Sequence, residues 1–231
     1  MGKLLVIEGS DGSGKATQTK LLYEALQGAG KAVRMVSYPN YDSPSSALVK
    51  MYLGSQFGAD PRGVNPYVAS SFYAVDRFAS YLKDWKEFYE ADPEHVVICD
   101  RYVTSNMLHQ AAKLDSEEEK DRFLDWEYDF EYIKGGLPVP DAVFFLDVPP
   151  EITFRLMKDR ENKMTHQAAK DIHESNPRFL IQSYENSRLL CRKYHWISIP
   201  CCTEEGTLKP IAEIHQAICR HLHIQPAKSM V

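Results

Sequence analysis

Short apolar runs alternate with longer, mixed stretches along the chain. The first run, Leu4 to Ile7, has no polar alternation, which is typical of a strand buried on both faces of a sheet. Similar runs rich in β-branched residues lie at 32–36, 95–99, 142–146 and 196–199. Neighbouring parallel strands need crossover connections, which are usually helices. The pattern therefore predicts an α/β fold with a five-stranded parallel sheet and helices on both faces.

Helical periodicity predicts how the longer stretches pack. A helix is expected from about Lys15 to Ala29, and Ser116 followed by Glu119 has the spacing of a capping box at another helix start. Two apolar stripes at helical spacing are expected to face the core. They consist of Val68, Phe72, Val75, Ala79 and Leu82, and of Phe123, Trp126, Phe130 and Ile133. No linker or repeat divides the chain, so residues 1–231 are expected to form one domain.

Composition narrows the range of partners. The 231 residues include 27 basic and 32 acidic side chains, a net charge of −5 that argues against a general nucleic-acid or anionic-membrane binder. No apolar run approaches the roughly 20 residues that cross a bilayer, and Glu8 interrupts the first run too early for a signal peptide. The five cysteines form no Cys-x-x-Cys pair, so reduced thiols are expected. We expect a cytoplasmic protein that binds neither nucleic acid nor membrane.

A glycine-rich segment joins the first predicted strand to the first predicted helix. It reads Gly9-Ser10-Asp11-Gly12-Ser13-Gly14-Lys15. This is the spacing of a phosphate-binding loop, in which glycines let backbone N–H groups surround a phosphate and the lysine reaches the β- and γ-phosphates. Ala16 departs from the motif, which has a Mg²⁺-binding hydroxyl there, and Thr17 lies about 100° further round the helix. The loop predicts nucleotide binding, with the metal held in another way.

Two later segments carry side chains suited to a second substrate. Tyr73 and Arg77 are four residues apart on a predicted helix, which suits either contact with a nucleobase or a surface cation–π pair. Asp100 and Arg101 follow the third predicted strand, at the edge where the carboxyl ends of parallel strands form a ligand crevice. The guanidinium fork suits a phosphate, and the alternative is an ion pair that holds the loop in place.

Together these segments resemble the thymidylate kinases, P-loop nucleoside monophosphate kinases that transfer the γ-phosphoryl group of ATP to dTMP. The resemblance runs from Leu4 to about Tyr194. Its blocks are Glu8 to Gln18, Tyr73 to Arg77, Asp100-Arg101-Tyr102 with Ser105 and Gln110, and Pro140-Asp141 with Leu146 to Glu151. It implies synthesis of dTDP for dTTP, with ATP and dTMP as partners, Mg²⁺ as cofactor and a homodimer as the assembly.

The resemblance also implies roles for individual residues. Tyr73 is expected to stack on thymine, Arg77 to bind a base carbonyl and Arg101 to hold the dTMP phosphate. Asp11 is expected at the transfer site, and it and Glu174 are the expected metal ligands. The implied ATP-binding set is Gly9, Ser10, Asp11, Gly12, Ser13, Gly14, Lys15, Ala16 and Thr17. The implied dTMP-binding set is Asp11, Tyr73, Arg77, Arg101, Ser105, Asn106, His109 and Gln110.

A basic segment at about 151–175 matches the family's mobile lid. Arg155 or Arg160 within it is expected to clamp the γ-phosphate, so that the expected catalytic set is Lys15, Asp11, Arg101, Arg155 and Arg160. No general base is needed, because a phosphate acceptor is already ionised at neutral pH. Many members have Phe-Pro-x-Arg after the second strand, whereas this chain has Tyr38-Pro39-Asn40-Tyr41, which leaves more of the acceptor phosphate to Arg101. A kinase for another monophosphate, such as dUMP or dCMP, and a nucleotide-binding regulator without catalysis remain alternatives.

Overall fold

The structure, a computed structural model, describes residues 1–157, 172 and 176–227. Its sheet has five parallel strands in the order β2-β3-β1-β4-β5. These strands are β1 (Lys3–Gly9), β2 (Val33–Ser37), β3 (Val96–Asp100), β4 (Ala142–Asp147) and β5 (Ile197–Pro200). Each lies within two residues of an apolar run identified in the sequence, and the predicted fold class is confirmed.

Helices connect the strands and cover both faces of the sheet. The α-helices are α1 (Lys15–Gly28), α2 (Ala47–Leu53), α3 (Pro66–Ser80), α4 (Lys86–Ala91), α5 (Val103–His109), α6 (Glu117–Glu127), α7 (Pro150–Met157), α8 (Pro177–Lys193) and α9 (Ile211–Leu222). In the described part of the chain, none of them combines the length and the apolar character needed to cross a membrane.

Alternation along the strands divides the core into two layers. Successive side chains of a strand point to opposite faces, so Leu5 and Ile7 pack with apolar residues of α1 and α9. Leu4 and Val6 pack on the other face, with residues of α4, α5, α6 and α8. β1 is therefore covered on both sides, which explains why its sequence is apolar without alternation. The sheet holds the carboxyl ends of β1 and β3 side by side.

Helix α3 is oriented differently from the sequence prediction. Val68 and Val75, expected in the core, are 47% and 50% exposed, and Leu82 beyond the helix is 67% exposed. The buried face instead includes Asp76 and Arg77, each 1% exposed. Burial of these charges is tolerable because each has partners: Asp76, for example, accepts the Asn40 N–H at 2.7 Å. The expectation that this stripe faces the core is therefore wrong for Val68, Val75 and Leu82, whereas Phe72 is partly buried and packs against a core cluster.

Helix α6 is partly as predicted. Ser116 and Glu119 form the capping box in both directions. Phe123 is buried, but Ile133 at the end of the second stripe is 65% exposed. The helix α6 continues as a π-helical segment, Tyr128–Lys134. Because a π-helix has a wider turn, the later side chains, including Ile133, point away from the direction that α-helical spacing predicts. The prediction of a core stripe fails at this end.

Candidate active site

The phosphate-loop motif lies where the sheet presents the carboxyl end of β1. Two of its glycines need their small size or backbone freedom. Gly9 has φ 153°, and a Cβ there would lie 2.7 Å from Ser13 Oγ. Gly14 has φ 90° and caps the amino end of α1 in the left-handed region. The loop therefore takes a conformation that few other residues allow, and it leads directly into the positive end of a helix dipole.

Lys15 folds back over this loop. Its Nζ donates to the carbonyl oxygens of Gly9 and Ser10 at 2.9 and 2.8 Å and lies 3.7 Å from Asp11 Oδ1. Only 7% of the residue is exposed. Burial, and next the positive charge of Arg101, lower the pKa of the Lys15 ammonium to about 8. The lysine is thus held at the centre of the loop, where a bound phosphate would replace the carbonyl oxygens as its partner.

The remaining loop positions differ in environment. Ser10 Oγ lies 3.2 Å from Thr153 Oγ1, which connects the loop to α7. Ser13 Oγ is buried and has no hydrogen-bond partner among the described residues. Ala16 and Thr17 are exposed in the first turn of α1, whereas Gly12 is partly exposed within the loop.

Arg101 faces the loop from the end of β3. Its φ of 69° lies in the left-handed region, unusual for a residue with a side chain, and its backbone N–H donates to the Ile7 carbonyl at 3.1 Å. The guanidinium forms a short ion pair with Asp11 and lies 3.9 Å from a carboxylate oxygen of Glu8. Lys15 and Arg101 therefore both contact the same oxygen, Oδ1, of Asp11.

His109 supports Arg101 as a hydrogen-bond acceptor. Arg101 Nη1 lies 3.3 Å from His109 Nε2, and a guanidinium cannot accept a hydrogen bond. Nε2 must therefore be the unprotonated nitrogen, which leaves Nδ1–H to donate to Ser183 Oγ of α8 at 3.3 Å. Burial, and next the Arg101 charge, lower the pKa of His109 to about 3. The imidazole is neutral at physiological pH.

The proposed base-reading residues form a buried polar network. Arg77 Nε and Nη2 donate to the two carboxylate oxygens of Glu131 at 2.7 and 2.5 Å, and Nη1 donates to the Tyr102 carbonyl at 3.3 Å. Asn106 Nδ2 donates to Glu131 and to the Ser70 carbonyl, both at 3.2 Å. Arg77 and Asn106 are thus joined through one carboxylate. Their contact with a base stays a prediction.

Other predicted residues occupy the surroundings of this network. Tyr73 is half-buried and meets Tyr52 edge-on, with the ring centroids 6.3 Å apart. Ser105 Oγ donates to Glu8 Oε2 at 2.7 Å. Gln110 is buried, and its Oε1 has no hydrogen-bond partner within the residues that the structure describes. The structure therefore gathers Lys15, Asp11, Arg101, Ser105 and His109 into one contact network, with Arg77 and Asn106 in a second.

The predicted lid residues are only partly covered by the structure. Arg155 is exposed on α7, while Arg160 and Glu174 lie outside the described residues. Between residues 1 and 157, at 172 and over 176–227, no cluster of three or more His, Cys, Asp or Glu side chains is arranged to hold a metal ion. The metal roles of Asp11 and Glu174 stay predictions.

Sequence reasoning missed the acids behind these residues. Glu8 and Glu131 are fully buried and hold Ser105 and Arg77, respectively. Glu127 is also fully buried, and burial followed by the charge of Glu131 raises its pKa well above the usual value. Glu8 was visible as an acid at the end of an apolar strand, a position with a clear cost unless partners are present. Glu127 and Glu131 lie among the polar positions of a predicted amphipathic helix, where an acid usually faces solvent.

The chain is similar to thymidylate kinases both in sequence and in fold. The sequence model described as thymidylate kinase matches residues 7–198. A probable thymidylate kinase of Methanococcus aeolicus is 28% identical over 225 residues, which cover 96% of each chain. One of Pyrococcus horikoshii is 33% identical over 161 residues, covering 69% of this chain and 71% of the relative. The solved thymidylate kinase of Candida albicans has the same fold, with a TM-score of 0.65 at 19% identity over 98% of both chains.

Proposed function

The chain belongs to the thymidylate kinase family, which phosphorylates dTMP to dTDP with ATP, and we propose from this which of its residues bind ATP and which bind dTMP. The observation that carries the proposal is that Lys15 and Arg101 meet at one oxygen of Asp11. Two cations this close together suit a place where the phosphates of two nucleotides meet. Lys15 serves the donor phosphates, and Arg101 serves the acceptor phosphate.

On the donor side, the loop from Gly9 to Lys15 binds the phosphates of ATP. The left-handed glycines, the helix dipole of α1 and the Lys15 ammonium all favour negative charge there. Arg155 and Arg160 complete the clamp from a lid at about 151–175, within a single domain of residues 1–231. Positive charge around the γ-phosphoryl group stabilises the transition state of its transfer.

On the acceptor side, Arg101 binds the dTMP phosphate and exchanges its partner Asp11 for it. Tyr73, Arg77 and Asn106 read the base, with Glu131 fixing the orientation of the last two. The acceptor oxygen is already ionised, so no side chain acts as a general base. His109 is unsuited to that role in any case, because its Nε2 accepts from Arg101.

Mg²⁺ fits the donor set of the loop. A carboxylate at Asp11 and a buried, unpartnered hydroxyl at Ser13 are hard oxygen donors, and Mg²⁺ commonly takes one or two carboxylates with phosphates and waters. Asp11 would hold it, with Glu174 as a second ligand. When bound, the ion would neutralise charge on the ATP phosphates. Ala16 contributes no ligand, so Asp11 carries more of this role than in the usual motif.

The substrate assignment is tested by ADP release with dTMP, dUMP and dCMP as acceptors. We expect dTMP to turn over fastest, and equal turnover of dCMP would contradict the thymine assignment. Binding of both nucleotides without dTDP formation would instead favour the regulator.

The role of Arg101 is tested by Arg101→Ala. Loss of a charge-assisted contact predicts a KM for dTMP raised about 10- to 100-fold, with the KM for ATP changed less than about twofold. Arg122→Ala is the matched control, because it removes an exposed arginine paired with Glu118. An unchanged KM for dTMP in Arg101→Ala would contradict the assignment.

We propose that the exposed stripe of α3 is the interface of a homodimer. Val68, Val75 and Leu82 are about half or more exposed, and Ile133 on the neighbouring π-helical segment is 65% exposed. Apolar side chains grouped in this way are typical of an interface. Val75→Glu is expected to give monomers in light scattering. Met35→Glu, which replaces an equally exposed side chain on the edge strand β2, is expected to leave the dimer intact. A dimeric Val75→Glu would refute the assignment.

We further propose that the protein acts in the cytoplasm on free nucleotides, without nucleic acid. The five cysteines, all within the described residues, are unbonded, in keeping with a reducing compartment. The net charge of −5 disfavours polyanions. Cell fractionation and filter binding with DNA and RNA test these two points.

A further inference from the structure

Glu8 is a buried carboxylate for which the reaction described above has no use. It is the penultimate residue of β1, and none of its surface is exposed. Burial of a charged group is costly unless its hydrogen bonds are satisfied. We propose that Glu8 is a positioning residue, which holds the phosphate loop and Arg101 at a fixed distance from each other. This inference rests on the proposed role of Arg101.

The contacts of Glu8 join two separate loops. Its Oε1 accepts the Gly9 N–H, the first of the phosphate loop, at 3.0 Å. Its Oε2 accepts the hydroxyls of Thr104 and Ser105 in the first turn of α5, at 2.9 and 2.7 Å. One carboxylate therefore connects the segment after β1 to the segment after β3, with hydrogen bonds of ordinary length throughout.

Arg101 lies between these attachment points. It occupies the turn from β3 to α5, and its Nη1 lies 3.9 Å from Glu8 Oε1. Its left-handed backbone is a conformation that persists only where surrounding contacts determine it. The hydroxyl contacts to Glu8 anchor the residues that directly follow this turn. Loss of the Glu8 charge would therefore displace the guanidinium relative to Lys15.

Such a displacement matters because phosphoryl transfer depends mainly on alignment. A misplacement of about 1 Å can cost about a hundredfold in rate. Glu8→Gln keeps the size of the side chain and its hydrogen-bonding capacity, since hydroxyls can also accept, but it removes the charge opposite Arg101. We expect kcat/KM for dTMP to fall between about 10- and 100-fold in this variant.

A double-variant cycle separates positioning from a merely structural role. If Glu8 acts through Arg101, adding Glu8→Gln to Arg101→Ala lowers kcat/KM no further, within about twofold. If Glu8 only supports the fold, the two losses multiply, and that result overturns the proposal, as does an unchanged kcat/KM in Glu8→Gln alone. An unchanged Arg101→Ala would refute the proposed role of Arg101 itself and this inference with it.

Two further variants keep the test decisive. Asp141→Asn is the matched control, because Asp141 accepts the Leu4 N–H at 2.7 Å, before the start of β4 and far from the loop end of the sheet. It is expected to lower the melting temperature and leave kcat/KM for dTMP unchanged. If Glu8→Gln does not fold, Thr104→Val replaces it in the cycle, since it keeps the carboxylate, removes one hydrogen bond to it and changes no residue of the dTMP-binding set. The same non-additivity with Arg101→Ala is then expected, and multiplying losses overturn the proposal.

Discussion

Binding of ATP is predicted to draw a proton onto Lys15. This lysine is 7% exposed, and its partners at the loop are carbonyl oxygens. Burial, followed by the nearby Arg101 charge, lowers its pKa from 10.5 to about 8. Triphosphate oxygens bring several negative charges within contact distance, and these favour the charged ammonium. The pKa therefore rises again when ATP binds.

The size of the effect follows from the pKa itself. At pH 8 a lysine with a pKa of about 8 is half protonated, whereas at its ordinary pKa of 10.5 it is almost fully protonated, so a full return to that value takes up about 0.5 proton. At pH 7 the same arithmetic gives about 0.1 proton, and at pH 9 about 0.9. The uptake should therefore rise steeply across this range.

Isothermal titration calorimetry measures this number directly. ATP with Mg²⁺ is titrated in two buffers of different ionisation enthalpy at pH 7, 8 and 9, and the slope of binding enthalpy against ionisation enthalpy is the proton uptake. Lys15→Arg is the matched control, since it keeps the positive charge but does not titrate in this range. We expect its uptake at pH 8 to be lower than that of the original chain by about half a proton. Equal uptake by both proteins would refute the reasoning.

Two further predictions concern how buried titratable groups affect the free energy of unfolding. Because His109 is neutral in the fold down to about pH 3 but protonates near pH 6.5 when unfolded, the free energy of unfolding should fall by about 1.4 kcal/mol per pH unit below 6.5. Urea denaturation of His109→Gln should show this slope reduced, whereas His221→Gln, at an exposed position, should retain it; a retained slope in His109→Gln would contradict the assignment. Glu131→Gln should destabilise the fold by about 3–5 kcal/mol, because it leaves the Arg77 charge buried without its counter-ion. Glu127→Gln should cost less, because burial raises the pKa of that carboxyl and Arg77 donates its hydrogen bonds to Glu131 instead. Urea denaturation of the two glutamine variants compares them, and equal losses would refute the distinction.

The sheet and the phosphate loop could be predicted because their signals are local. A doubly buried parallel strand has no polar face, so an unbroken apolar run as short as Leu4 to Ile7 is typical of one. The loop is similarly constrained, since Gly9 and Gly14 adopt conformations that require glycine and are followed directly by Lys15. Both signals are contained within a few consecutive residues, and both features lie in the structure at the predicted positions.

The acids behind the site could not be predicted in the same way, because their significance depends on distant residues. Glu131 meets Arg77 from 54 positions away, and Glu8 meets Ser105 from 97. Single-sequence periodicity carries no information about such pairs. An acid on a helix is usually solvated, and only the partner shows that it is buried. The sequence therefore predicts side chains for the substrates, but it does not predict the buried acids that contact those side chains.

Helix α3 shows why periodicity locates an apolar face without saying what covers it. Val68 and Val75 have the spacing of a core stripe, but no side chain of the described residues buries them, so any cover for them comes from elsewhere. The opposite face buries Asp76 and Arg77, and it can do so only because the loop at Asn40 and the acid at Glu131 satisfy them. The same inversion brings Arg77 towards Asn106 and leaves apolar side chains on the surface, where we propose that a second copy packs. A helix that lines a polar site on one side and an interface on the other is expected to show this reversed pattern.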